Sequence, residues 1–231
     1  MRSYDVATSF LASILRLGNG MAVAGAGARP AKMLELYEFE ACPFCRKVRE
    51  TLSILDLDAM VYPCPQGGKR FRNQLFERAG KQQFPYLIDP NTGREMYESD
   101  IIIGYLYANY GDSNVPLILS TPLLTDASSA LASAARMTSG RNYRKAGPPA
   151  QPLELWSFEA SPYCRLVRER LCELELPYIL HNVAKGSAKR EAFVERSGKM
   201  MVPYLFDPNS GREMFESSGI CDYLDKTYGL A

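Results

Sequence analysis

The chain has 231 residues, 46% of them apolar and 23% charged, with a net charge of +1. That balance suits globular packing and exerts no bulk electrostatic pull toward nucleic acid or an anionic membrane surface. No apolar run reaches the roughly 18 to 20 residues that span a bilayer. Six cysteines are too few for a disulfide scaffold in a chain of this length.

In chain order, residues 4–17 carry apolar side chains at helical spacing and stop near glycine, which predicts a short helix. A Gly- and Ala-rich linker follows to Lys32. Residues 33–39 alternate and read as a strand. Pro43 suits the first turn of a helix over about 43–56, whose apolar face is marked by Val48, Leu52, Leu55 and Leu57. A strand at 59–62, a helix near 70–79 and a strand at 84–89 come next. Asp89-Pro90-Asn91-Thr92-Gly93 is a turn, because proline presets φ and glycine accepts a positive one. A strand at 94–97 and a helix at 99–110 close the unit. A second helix at about 122–138 and a second linker then lead into a repetition of the same pattern.

The repetition is explicit. Fifteen of the 29 positions 34–62 recur at 153–181, and 13 of the 19 positions 81–99 recur at 199–217. The leading helix recurs too, Ser9–Gly20 matching Ser129–Gly140. Residues 1–29 could pass for a targeting peptide. A segment duplicated with its domain is expected to be structural, and no secretory cleavage pattern contradicts that. The expected organisation is a helix and linker at 1–32, a compact unit at 33–111, a second helix and linker at 112–151, and a second unit at 152–231.

Each unit has the order βαβαββα, an α/β arrangement. The first carries Cys42-Pro43-Phe44-Cys45 where strand gives way to helix. The second carries Ser161-Pro162-Tyr163-Cys164. With Phe84-Pro85 before a strand and Glu98-Ser99 opening the last helix, the chain resembles glutaredoxins and glutathione transferase N-terminal domains. As a whole it is similar to tandem proteins of that type from plant and algal plastids. The resemblance implies two thioredoxin-like domains, glutathione as ligand, and a chloroplast setting.

The chemistry centres on the helix starts. A thiolate is the nucleophile in disulfide exchange, and a helix N-terminus favours it. Cys42 is therefore the candidate nucleophile and Cys45 the resolving thiol, with Arg46 and Arg49 expected to add positive charge. Ser161 cannot form a disulfide. It either caps its helix or donates a hydrogen bond to the sulfur of bound glutathione. Cys164 is expected to pack inertly, Cys64 to be an ordinary loop thiol, and His181 to be structural. A four-ligand metal site is not expected, since Ser161 interrupts the second cysteine pair.

The resemblance further implies that Pro85 and Pro203 are cis. The backbones of Phe84 and Val202 would then pair with the cysteinyl part of glutathione. Glu98-Ser99 and Glu216-Ser217 would hold the amino and carboxylate groups of its γ-glutamyl part. Two basic clusters, Lys69-Arg70-Arg72 and Lys185-Lys189-Arg190, read either as a site mouth or as solvated faces.

The expected function is glutathione-dependent thiol–disulfide exchange, with glutathione and disulfide or glutathionylated proteins as partners. The first unit would react, and the second would bind glutathione or be degenerate. The alternatives are a docking protein that meets a partner through its helices and linkers, and a transferase using Ser161.

Overall fold

The computed structural model describes residues 3–230. Helix α1 (Ser3–Leu15) precedes a first unit of β1 (Leu34–Glu38), α2 (Pro43–Ile54), β2 (Ala59–Pro63), α3 (Arg70–Ala79), β3 (Tyr86–Asp89), β4 (Arg94–Tyr97) and α4 (Ser99–Tyr110). A short α5 (Leu117–Ser120), which the sequence pattern does not suggest, leads into α6 (Pro122–Ala135). The second unit follows as β5 (Leu153–Ser157), α7 (Pro162–Glu173), β6 (Tyr178–Asn182), α8 (Arg190–Ser197), β7 (Tyr204–Asp207), β8 (Arg212–Phe215) and α9 (Ser217–Tyr228). The thioredoxin-like βαβαββα order is thus present twice. Helices α1 and α6 end at 15 and 135, short of the expected 17 and 138. The chain leaves the helical region at Leu17 and Met137, with φ of 51° and 54°.

Within each unit two parallel strands flank a helix and an antiparallel hairpin completes the sheet. Strand alternation sorts the side chains. Leu34 and Leu36 of β1 pack with Val48 and Leu52 of α2 and with Ile102 and Leu106 of α4. Tyr37, on the other face, packs with Phe71 and Leu75 of α3 and with Tyr86. The two units are not beads on a string. Strands β2 and β6 pair antiparallel, giving one sheet in the order β4-β3-β1-β2-β6-β5-β7-β8.

The leading helices cross over. Helix α1 precedes the first unit in sequence but packs on α7 of the second, while α6 packs on α2 of the first. Ser9 Oγ donates to the Pro162 carbonyl and Ser13 Oγ to the Ala160 carbonyl, both at 2.7 Å. In mirror fashion Ser129 Oγ donates to the Pro43 carbonyl at 2.7 Å. Each helix therefore braces the chemical motif of the opposite half.

Between the halves lies a buried charge cluster. Arg49 Nε donates to Glu159 Oε2 at 3.0 Å, and the Arg49 guanidinium also bonds Glu38. Arg168 reaches Glu159 Oε2 at 2.7 Å and both carboxylate oxygens of Glu40 at 3.2 Å. These side chains are 1–3% exposed. Charges so far from water persist only when paired and hydrogen-bonded. Gly20 and Gly140 let the chain approach this cluster. Both have positive φ, and a Cβ on Gly140 would stand 2.8 Å from that of Glu40.

Candidate functional site

The two motifs adopt one geometry with different atoms. Cys42 is the N-cap of α2, with φ −72° and ψ 122°, and its Sγ accepts from the Cys45 backbone N–H at 3.3 Å. Ser161 is the N-cap of α7, with φ −69° and ψ 118°, and its Oγ accepts from the Cys164 N–H at the same 3.3 Å. Pro43 and Pro162 occupy the first helical turn. The six cysteines are all thiols.

Burial pushes the Cys42 thiol up. Hydrogen bonds from the Cys45 thiol and from the backbone N–H groups of Cys45 and Phe44 outweigh it and hold the thiol below its ordinary value. Cys45 is fully buried. Burial, the hydrogen bond to Cys42 and the charges of Cys42 and Glu38 push it well above the ordinary range. The pair is therefore polarised, with an acidic outer sulfur and an inner one that keeps its proton. In the second half burial likewise raises Cys164.

Arg46 and Arg49 do not play the part that the sequence suggests. Both are buried, and both turn to Glu159 of the other half, Arg46 at 3.6 Å. The pull on the Cys42 proton comes from hydrogen bonds instead. The basic clusters divide: Lys69 and Lys185 are exposed, as a solvated face would have them, and the others turn partly inward. Arg70 donates to the Glu175 carbonyl at 3.2 Å, Lys189 bonds Asp58, and Arg190 donates to the Val183 carbonyl at 3.1 Å. Arg70 and Lys189 thus tie the seam between the halves, while Arg190 bonds within its own half. Arg72 is the exception in part: its guanidinium lies 4.7 Å from the Phe84 ring, beside Pro85.

The Phe84–Pro85 and Val202–Pro203 peptide bonds are cis. Glu98 and Glu216 both stand at φ 69° immediately before α4 and α9. A non-glycine residue held there carries backbone strain of the kind that gathers at binding sites. In the second half Val202, Pro203, Glu216 and Ser217 line one cavity of about 290 Å³ together with Tyr163 and Met201. Ser161 caps the helix beside this cavity and is 5% exposed. In the first half Phe84, Pro85, Glu98 and Ser99 hold the equivalent positions, and Gln83 donates to the Glu98 carboxylate. Its counterpart, Met201, cannot.

Tyr163, Met201 and Gln83 escaped the sequence reading. The available signal was the variable position inside each motif, where Tyr163 and Phe44 stay 43% and 46% exposed. Phe10 of α1 meets Tyr163 edge-on at 5.7 Å, so the first half contributes to the rim of the second site. His181 is structural in setting. It stacks on Trp156 and bridges Asp58 and Glu154 at 3.3 and 2.9 Å. Cys64 is buried, and burial pushes its thiol far up. Among the described residues no helix is long and apolar enough to cross a membrane, and no group of three or more His, Cys, Asp or Glu is placed to hold a metal ion.

Comparison with known proteins gives a family match over both halves. The family described as glutathione S-transferase, N-terminal domain, matches residues 36–114 and 155–231. The glutathione S-transferase-like protein OpS6 of Beauveria bassiana is 33% identical over 78 residues, 34% of this chain and 36% of that protein. The chain thus spans about a third of that relative's length. Among solved structures, the Bombyx mori glutathione transferase BmGSTD1 is 26% identical over 36% of this chain and 38% of its own, with a TM-score of 0.33. TDR1, a trimeric glutathione transferase of Leishmania, is 13% identical over 87% of this chain and 68% of its own, with a TM-score of 0.31.

Proposed function

The chain belongs to the glutathione S-transferase N-terminal-domain family through both of its halves, and on that premise we propose that it is a glutathione-dependent thiol–disulfide oxidoreductase. The observation that carries this reading is the polarised pair: an acidic Cys42 at a helix start with Cys45 one turn behind it. The Cys42 thiolate attacks a mixed disulfide, takes one sulfur and releases the other as a thiolate. Cys45 or free glutathione then resolves the product.

In both halves the strained Glu–Ser pair would hold the γ-glutamyl group, and the backbone of Phe84 or Val202 the cysteinyl part. The second half retains this constellation around its cavity while Ser161 forbids exchange. It would hold glutathione or a glutathionylated protein without reacting. A chloroplast setting belongs to the same proposal and is read by the location of a fluorescent fusion.

The test is reduction of hydroxyethyl disulfide by glutathione with the full chain. Cys42→Ser should abolish it, because a hydroxyl does not replace a thiolate. Cys45→Ser should be milder, since free glutathione can resolve the intermediate. Failure of the wild type on several disulfides would leave two other readings. Phe10, Leu11, Ile14 and Leu131 are exposed on the crossed helices, which favours a docking protein. The cavity beside Tyr163 favours a transferase, whose conjugation would then fall with Ser161→Ala.

A further inference from the structure

The two crossed helices seat differently on the motifs they brace. In the second half Ser13 Oγ of α1 donates to the Ala160 carbonyl at 2.7 Å and accepts from Arg165 Nη1 at 2.9 Å. At the offsets of the repeat, their counterparts around Cys42 are Ser133 of α6, Ala41 and Arg46. There Ser133 Oγ, Arg46 Nε and Arg46 Nη1 are buried and find no hydrogen-bond partner among the described residues. A cavity of about 300 Å³ opens instead. Ser133 lines it together with Ala41 and Pro43, the two chain neighbours of Cys42. A buried hydroxyl without a partner costs about 1–3 kcal/mol. On a cavity wall it is a donor that an incoming acceptor would satisfy.

The rest of the wall gives the ligand's shape and charge. Phe39 and Met137 are apolar. Arg141 lines the cavity too; its Nε donates to Gln66 Oε1 at 3.1 Å, and it enters no ion pair among the described residues. Its counterpart in the second half is Met21. The guanidinium therefore belongs only to the half with the outer thiol, and its planar fork suits a carboxylate. The cavity is lined by none of Phe84, Pro85, Glu98 and Ser99. Phe39 meets Phe84 edge-on at 6.0 Å, so one ring borders both compartments.

We propose that this cavity receives the non-glutathione half of a mixed disulfide and selects a compact thiol bearing a carboxylate. This rests on the oxidoreductase reading above. With glutathione held along Phe84 and Ser99, the other sulfur points to the side where Ala41 and Pro43 open onto the cavity. The Cys42 thiolate attacks the glutathione sulfur, and a Cys42–glutathione disulfide forms. The bond between the two substrate sulfurs breaks. The departing sulfur keeps the electron pair, and solvent protonates it. Arg141 pairs with the carboxylate, Ser133 donates its hydroxyl hydrogen to the departing half, and Phe39 and Met137 cover the apolar body. A volume of about 300 Å³ lies at the lower end for small-molecule sites, which suits one ring or a short chain.

The experiment compares two probes on the full chain, the mixed disulfides of glutathione with 4-mercaptobenzoate and with its methyl ester. Both carry the same glutathione and differ only in the carboxylate. Arg141→Met, which copies Met21, should lower kcat/KM for the acid about 10-fold, the lower end for a hydrogen bond to a charged group. The ester should change less than about 2-fold, and Arg141→Lys should restore part of the acid's rate. Ser133→Ala should lower both probes about 3-fold, as a neutral donor is lost. Added salt should narrow the wild type's preference for the acid. Equal or absent losses for acid and ester in Arg141→Met would overturn the inference, because Arg141 would then serve glutathione or the fold. Ser133→Ala without effect on either probe would overturn it too. So would a wild type that reduces hydroxyethyl disulfide but accepts neither probe. A wild type inert toward all three disulfides overturns the oxidoreductase reading instead.

Discussion

Met60 of β2 lies directly opposite Ile179 of β6, and each holds in its own half the place that the other holds in its partner. Ala59 faces Leu180 and Val61 faces Tyr178. Shifted by 119 residues, that register maps onto itself. The outlying bridges obey the same symmetry: Ala22 meets Lys185 as Asn142 meets Gln66. A pseudo-twofold axis therefore passes through the middle of the sheet. Each contact across the centre has a mate, so the second half serves as an internal control for the first.

Arg49→Met should destabilise the chain by about 3–5 kcal/mol, the range for removing one partner of a buried ion pair. The substitution leaves Glu38 and Glu159 without a shared cation in a setting only 1–3% exposed. A urea titration would show a lower midpoint at unchanged slope. A loss under about 1 kcal/mol would mean that the cluster rearranges or hydrates easily.

Gly140→Ala and Gly20→Ala should each cost roughly 1–3 kcal/mol, since a Cβ both forces an unfavourable φ and crowds a packed neighbour. The added carbon would press on Glu40 in one case and Glu159 in the other. Thermal unfolding of the two variants should show losses of similar size. A large difference would show that the symmetry of the backbone is not a symmetry of packing.

Two carboxylates of the cluster drive opposite pH dependences. Glu38 rises from an ordinary 4.5 to about 7 on folding. Between those values the native chain holds a proton that the unfolded chain has released, so stability falls as pH rises. Glu159 drops from 4.5 to about 2 through Arg168, Arg49 and Arg46, which overcome its burial. Its contribution is complete above 4.5 and is lost as pH falls toward 2. Urea midpoints of the wild type and Glu38→Gln, compared from pH 4.5 to 7, should converge on one another or cross as the pH rises, because the variant lacks the decline. Parallel curves would remove Glu38 as its source.

Ser161→Cys places a thiol where Ser161 Oγ already accepts the helix N–H. In the full chain the new thiol should be acidic and should form a mixed disulfide with glutathione. No mixed disulfide at all would show that the second half has lost its glutathione site along with its nucleophile.

The sequence makes the elements legible because each local signal has a local cause. Pro43 and Pro162 mark helix starts, and Gly93 takes φ 70° in the turn that Asp89 and Asn91 close. It also brings out the nucleophile position, since one motif was duplicated and then changed. What it hides is partnership. Apolar Ala59–Val61 would suit any strand neighbour, and nothing in its alternation names β6. The spacing of Arg46 and Arg49 puts them on the face of Val48 and Leu52. Without the other half in view, arginines there read as helpers of Cys42 rather than as partners of Glu159. The positive φ of Glu98 and Glu216 is likewise set by tertiary packing and leaves no mark on composition.

The crossing of the leading helices bears on how the chain is made. Ser9 finds its acceptor at Pro162, 153 residues later. At about 5–20 residues per second, α1 emerges roughly 8 to 30 s before the helix it braces exists. During that interval the apolar side of α1 has only its own half to meet, and β2 presents an open edge that β6 has yet to cover. Synthesis thus passes through a stage in which the first half resembles an unfilled dimer. A neighbouring nascent copy could offer it the same α7 and β6 surfaces. Exchange of halves between chains is the assembly error this topology invites, and dilution or slow pairing on crowded polysomes would decide how often it occurs.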